Sequence, residues 1–121
     1  MKTIIAGTRT ATWRNTWDAL LSCDWRHEIT GTLCGMAKGA DMHGKAWANA
    51  NKIPVSKWPP NWEDHGTAAG PIRNQQMVDR ADALIAVWDG QSRGTADVIA
   101  KAKAKGLRVH VFNYVTGEVL P

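Results

Sequence analysis

The chain has 121 residues and a mass of 13.3 kDa, the length of one domain with no room for a second. With 44% apolar and 21% charged residues it reads as an ordinary folded chain; no apolar run approaches the roughly 18 residues of a membrane helix, and Met1–Gly7 is too short for a secretory signal, so a cytoplasmic protein is expected. The net charge of +4 permits an anionic partner, but no RNA-binding, zinc-finger or continuous basic pattern accompanies it, which argues against nucleic acid and for a small anion.

Lys2–Ala6 is a β-branched run, broken by Gly7-Thr8-Arg9-Thr10. Trp13, Trp17, Leu20 and Leu21 then recur at helical spacing, predicting an amphipathic helix that ends near Asp24 and buries both tryptophans. Glu28–Cys34 reads as a second strand, Gly35–Asp41 as a loop and Met42–Asn51 as an alanine-rich helix, with Asp41 placed as its N-cap. Pro54–Trp58 is a third strand and Pro59–Gly70 a long polar loop. Gly70-Pro71 opens a helix running to about Ala81, since proline suits the first helical turn.

Ala83–Trp88, continuous, apolar and bounded by aspartates, reads as a strand buried on both faces. Asp89–Gly94 is a loop, and Thr95 is the predicted N-cap of a helix ending at Lys105 with Gly106 just beyond it. Lys101, Lys103, Lys105 and Arg108 gather at that end, where cations offset the helix dipole. Arg108–Phe112 is a fifth strand, and residues 113–121 form a hairpin about Thr116-Gly117 or a tail. Alternating strands and helices with short connections predict an α/β, Rossmann-like three-layer domain over residues 1–121, built on a mostly parallel five-stranded sheet.

In such sheets ligands bind beyond the carboxyl ends of the strands. Four loops fall on that edge: Gly7-Thr8-Arg9, Gly35–Asp41, Trp58–Arg73 and Asp89–Thr95. Glycines admit close backbone approach, helix N-termini offer free amides, and Arg9, Arg73 and Arg93 can fork onto an anion, so phosphate is the natural guest. Each glycine alone makes only a turn; the convergence of four loops carries the reading.

Gly90-Gln91-Ser92-Arg93-Gly94 matches the GxSxG of a nucleophile elbow, but the partners fail: Asp97 falls in the first turns of the next helix and His110 within a strand. The segment reads better as a phosphate cradle, with Gly90 and Gly94 shaping the turn and the Ser92 and Thr95 hydroxyls donating. Asp89 suits either a ribose hydroxyl or the Gly90 turn. Trp58 and Trp62, flanking Pro59-Pro60-Asn61, suit either a nucleobase or the anchoring of their own loop. No GxGxxG follows the first strand and no Walker lysine is present, which disfavours dinucleotide and nucleoside-triphosphate cofactors. Cys23 and Cys34 make no disulfide framework, and His27, His43, His65 and His110 lack ligand spacing, so no metal is assigned.

Ala6-Gly7-Thr8-Arg9, Gly35-x-Ala37-x-Gly39-Ala40-Asp41, Ala69-Gly70-Pro71-Ile72-Arg73-Asn74-x-x-Met77 and Asp89-Gly90-x-Ser92-x-Gly94-Thr95 together resemble the SLOG superfamily and, within it, the small YspA/YpsA-related branch. The resemblance implies a Rossmann-like fold and a nucleotide or nucleotide-derived ligand, with Arg9, Asp41, Arg73, Asn74, Ser92, Gly94 and Thr95 lining the pocket. The chain departs from the pattern at Met36, where a second glycine is usual, and a bulky side chain there is expected to reshape the phosphate loop. The related LOG phosphoribohydrolases carry a catalytic glutamate after Gly-Thr. Here Val98 holds that position, and Asp97, one residue off, is expected to point elsewhere on the helix.

The resemblance implies a nucleotide-derived ligand, and because one domain uses up the chain, a stand-alone binder that senses or sequesters it is expected. Some SLOG domains sense nucleotide second messengers in antiviral defence, and a lone copy without the glutamate fits a sponge for such a signal. The alternative is a nucleoside-phosphate N-glycosidase using Arg73 for phosphate and Asp41 or Asp89 as base. Related folds often pair, so a homo-oligomer is expected.

Overall fold

The two most apolar strands, Lys2–Gly7 (β1) and Ala83–Trp88 (β4), lie side by side and parallel at the centre of the sheet, Thr3 opposite Ala83 and Gly7 opposite Val87. Strands buried on both faces read as unbroken hydrophobic runs, and every residue from Ala83 to Val87 is fully buried. The computed structural model describes residues 1–121. Outward from β1 come Gly31–Cys34 (β2) and Val55–Lys57 (β3); outward from β4 come Arg108–Asn113 (β5) and Glu118–Leu120 (β6), giving the order β3-β2-β1-β4-β5-β6.

The sheet thus has six strands rather than five. All pair in parallel except β6, which returns antiparallel on β5 through a turn closed by Asn113, whose side-chain oxygen accepts from the amides of Val115 and Thr116. Gly117, at φ +77°, completes that turn. The hairpin about Thr116-Gly117 is therefore an edge strand of the main sheet.

Trp13–Ser22 (α1) and Ala40–Ala50 (α2) cover one face, meeting Ile5, Ile85 and Val87. Ala69–Val78 (α4, following the short Trp62–His65 helix α3) and Arg93–Lys105 (α5) cover the other, where Met77, Val78, Val98, Ile99 and Ala102 close on Ile4, Leu84 and Ala86. Each fully buried Ile or Leu contributes about 1.5–3 kcal/mol over its exposed state. Helices on both faces of a mostly parallel sheet make the Rossmann-like three-layer architecture. No helix is long and apolar enough to cross a membrane.

Several elements depart from expectation. α1 buries Thr16, Ala19 and Leu20, small or slender residues that let it approach the sheet; Trp13, at 57% exposure, lies on its flank and meets Trp17 edge-on at 6.4 Å. The second strand starts at Gly31, because Arg26–Glu28 winds into a 3-10 turn that the Arg26 guanidinium fastens to the Leu21 and Cys23 carbonyls. The Pro59–Gly70 loop holds α3 and a 3-10 turn at Gly66–Ala68, and α4 begins at Ala69 with Pro71 inside its first turn, where its missing N–H is not needed. Cys23 and Cys34 are buried free thiols.

Candidate functional site

The strand order reverses between β1 and β4, so the loops leaving these strands diverge to opposite faces and open a crevice at the carboxyl edge. A cleft of about 710 Å³ occupies this place. Its floor is Ala6-Gly7-Thr8 at the end of β1; its walls are the α4 turn around Arg73-Asn74 and the start of α5, with Arg9 and Asp41 at one side and Trp62 at another.

The two loops are clasped together. The Thr8 amide donates to the Val87 carbonyl at 3.0 Å, and the Asp89 amide donates to the Thr8 hydroxyl at 3.2 Å. The Thr8 carbonyl accepts from the amides of Ala11 and Ala40, tying the start of α2 to the same point. This packing requires Gly39: at φ +78° and ψ −128° it holds a conformation open essentially to glycine, and a Cβ would collide with the Arg9 and Thr8 carbonyls.

Gly39 is accordingly the N-cap of α2, and Asp41 is not. α2 starts two residues earlier than expected, placing Asp41 in its first turn. From there the carboxylate reaches back to accept from the Gly7 amide at 3.3 Å and the Ala37 amide at 3.2 Å. Asp41 is only 4% exposed, and desolvation pushes its carboxyl up to about 6, against the opposing pull of those amides and of Arg73 and Arg9.

Arg73 is largely a structural clamp. Its Nη1 donates to the carbonyl of Gly35 and, at 3.5 Å, of Trp58; its Nε donates to Asn74 Oδ1 at 3.0 Å. A side chain at position 35 would meet both the Arg73 guanidinium and the Asp41 carboxylate, so Gly35 is the gap through which they face each other. Burial lowers the Arg73 pKa from its usual value, with Asp41 opposing. By contrast Arg9 and Arg93 are exposed, line the cleft and form no hydrogen bond or ion pair with the protein, which leaves both forks free for an anion.

At the α5 end, Ser92 and not Thr95 is the N-cap. The Asp89 carboxylate accepts from the Gln91 amide at 2.8 Å and the Ser92 amide at 2.7 Å, which fixes the Gly90 turn, starts the helix at Arg93 and holds that carboxyl below the usual range. The Ser92 hydroxyl then accepts from the Thr95 hydroxyl at 3.2 Å and its amide at 3.5 Å. The first-turn amides of Arg93 and Gly94 have no partner in the protein, and they open on the cleft at the positive end of the helix dipole.

Of the residues singled out from sequence, Gly7, Thr8, Arg9, Asp41, Arg73, Asn74, Asp89, Ser92, Gly94 and Thr95 line the cleft together. Gly35, Gly39 and Gly90 stand behind it as backbone devices. Asp97 corrects an expectation: it lines the cleft, accepting from Asn74 Nδ2 at 2.9 Å and pairing with Lys101 Nζ at 2.8 Å. The i, i+4 spacing of Asp97 and Lys101 is visible in sequence, but their link to Asn74 across α4 and α5 is not. Val98 borders the cleft too, but at 2% exposure it packs chiefly in the core beneath α4 and α5. His110 bonds the Ser22 hydroxyl at 2.8 Å on the α1 side of the sheet, far from any triad with Ser92.

The two loop tryptophans separate. Trp58 is anchored, its Nε1 donating to Ser56 Oγ and its ring stacked under the Arg80 guanidinium at 5.0 Å, whereas Trp62 lines the cleft with its indole half exposed. Met36 lies outside the cleft lining, but its backbone sits at φ +64°, the left-handed region that favours glycine.

A family model described as the YspA, cpYpsA-related SLOG family matches residues 1–65, which carry the first two site loops. The chain belongs to this SLOG family. The Gene 61 protein of Mycobacterium phage D29 is 34% identical over 118 residues, covering 89% of this chain and 93% of that protein, so the likeness extends across the Arg73 and Asp89–Thr95 loops. No solved structure matches the chain. A glycine at position 36 would occupy this left-handed conformation without strain.

Proposed function

We propose that this protein binds a nucleotide-derived small molecule and holds it intact, with phosphate against the α5 N-terminus. The observation that carries the reading is the pairing of two unpartnered amides, Arg93 and Gly94, with two unpartnered guanidiniums, Arg9 and Arg93, around one cleft at the strand-order reversal. SLOG membership supports a nucleotide-related ligand. Val98, at the position of the LOG glutamate, supplies no acid or base, and the Asp97 carboxylate is engaged by Asn74 and Lys101. A binder without turnover acts by sensing or sequestering, and a sponge for a nucleotide second messenger in antiviral defence is the role we favour.

One observation favours a second reading. Asp41, with a carboxyl pushed up to about 6 at the cleft wall, is the group best poised to exchange a proton near neutrality, as a nucleoside-phosphate N-glycosidase requires. The test is mass spectrometry of small molecules released by heating the purified protein, beside an Arg9→Ala/Gly94→Asp variant. No atom lies within 4 Å of a Cβ at Gly94, and an acid there suits the first helical turn, so the variant folds while its carboxylate occupies the anion site. An intact nucleotide carried by the native protein and missing from the variant is expected. Free base with ribose phosphate establishes turnover instead, and equal occupancy of both proteins removes the cleft from consideration.

A further inference from the structure

The segment from Pro59 to Ala68 is built unlike the rest of the site. Every residue from Asn61 to Ala68 is exposed, and the side-chain hydrogen bonds of this stretch are internal: Asn61 caps Asp64, while the His65 amide donates to the Asn61 carbonyl, the Gly66 amide to that of Trp62, and the Ala69 amide at the start of α4 to that of Gly66. No ion pair or side-chain hydrogen bond ties it to the cleft walls; the Ala69 amide on the Gly66 carbonyl is its backbone link to α4. Two prolines, Pro59 and Pro60, hold one end; Gly66, at φ +56° with no atom near a built Cβ, bends the other.

On this flap sits Trp62. Its indole lines the cleft, 51% exposed, with Cη2 lying 3.9 Å from where a Cβ on Gly70 would stand at the start of α4. The open face of this ring borders the anion site. The flap also carries Glu63 and Asp64, which disfavour a phosphate beneath it. The free cations, Arg9 and Arg93, and the helix amides supply the anion pole of the same cleft; Trp62 supplies an aromatic pole.

We infer that Trp62 is a specificity-determining residue that stacks on the planar base of the ligand, so that the cleft takes base-bearing sugar phosphates and discriminates against base-free ones. The inference rests on the reading of the cleft as a nucleotide-type site and adds which end of the ligand lies where. A base has a π-face whatever its identity, so stacking selects for the presence of a base more than for which base it is.

The test is isothermal calorimetry of wild-type, Trp62→Ala and Trp62→Phe proteins with the four nucleoside 5′-monophosphates and with ribose 5-phosphate. Wild type is expected to prefer nucleotides. Trp62→Ala is expected to weaken nucleotide binding roughly 5- to 150-fold, with ribose 5-phosphate unchanged and Trp62→Phe retaining most of the affinity. The half-exposed ring makes little packing, so the Tm of Trp62→Ala stays within about 4 °C of wild type. Wild-type binding that Trp62→Ala leaves intact, or that it weakens equally for ribose 5-phosphate, overturns the stacking role and spares the site. Wild type that binds no nucleotide overturns both.

Discussion

Between pH 4 and pH 6 the folded protein holds a proton on Asp41 that the unfolded chain has already released, so its stability should fall as pH rises through that window. The carboxyl lies at about 6 in the fold against an ordinary 3.8, a gap of about 2 pH units, and at 1.36 kcal/mol per unit the fold surrenders about 3 kcal/mol by pH 7. His110 acts in the opposite sense: burial lowers its pKa below 6.5, so its contribution is lost as pH falls through the same region. Asp89, held low, matters only below pH 4. The raw profile therefore mixes opposed slopes, and the variant Asp41→Asn isolates one of them. Its amide cannot accept from both the Gly7 and Ala37 amides, a loss that does not vary with pH. In urea unfolding at half-unit steps from pH 4 to pH 8, the stability of Asp41→Asn relative to wild type should improve by about 3 kcal/mol and level off above pH 6.5. A difference that stays flat across the window refutes the account of a desolvated carboxyl.

Two further substitutions test the local physics. Met36→Gly removes the left-handed strain at φ +64° and should raise stability by about 1 kcal/mol in the same unfolding assay, whereas a loss of that size would mean that the half-buried Met36 side chain packs more than its backbone strains. Val98→Glu, which places the LOG residue type there, should lower stability by about 3 kcal/mol at pH 8 and by less at pH 4, where the glutamate is protonated; an unchanged urea midpoint at pH 8 would mean that the carboxylate reaches the cleft that position 98 borders.

The central strands and the capped end of α5 were legible because local rules and tertiary demand agree there. Ala83–Trp88 is a strand by composition and by position, and Gly106 ends α5 at φ +80° as a helix-terminating glycine does. The expectations that shifted are those where a distant partner overrides local preference. Asp41 looks like a cap in sequence but serves the amides of Gly7 and Ala37, since Gly39 must take the cap to let the backbone pass the Thr8 and Arg9 carbonyls. Trp13 follows a helical period yet lies outside, because period locates a face and not which neighbour covers it. Trp58 and Trp62, equivalent in sequence, separate only when Arg80 is seen to cover one of them.

The arrangement of charges in the cleft argues more for retention than for turnover. A hydrolase needs an acid or base free to reach the reacting bond, with its proton exchangeable at the moment of reaction. Of the carboxylates lining this cleft, Asp89 is committed to two amides of its own turn, Asp97 to Asn74 and Lys101, and Asp41 to Gly7 and Ala37. Arg73, half-buried, commits its Nη1 to the Gly35 and Trp58 carbonyls and its Nε to Asn74. The charged groups left without partners are the Arg9 and Arg93 guanidiniums, with the first amides of α5 open beside them. A site whose carboxylates are engaged internally and whose cations stand open is prepared to hold an anion, and its chemistry beyond that rests on the one carboxyl, Asp41, that burial leaves near neutrality.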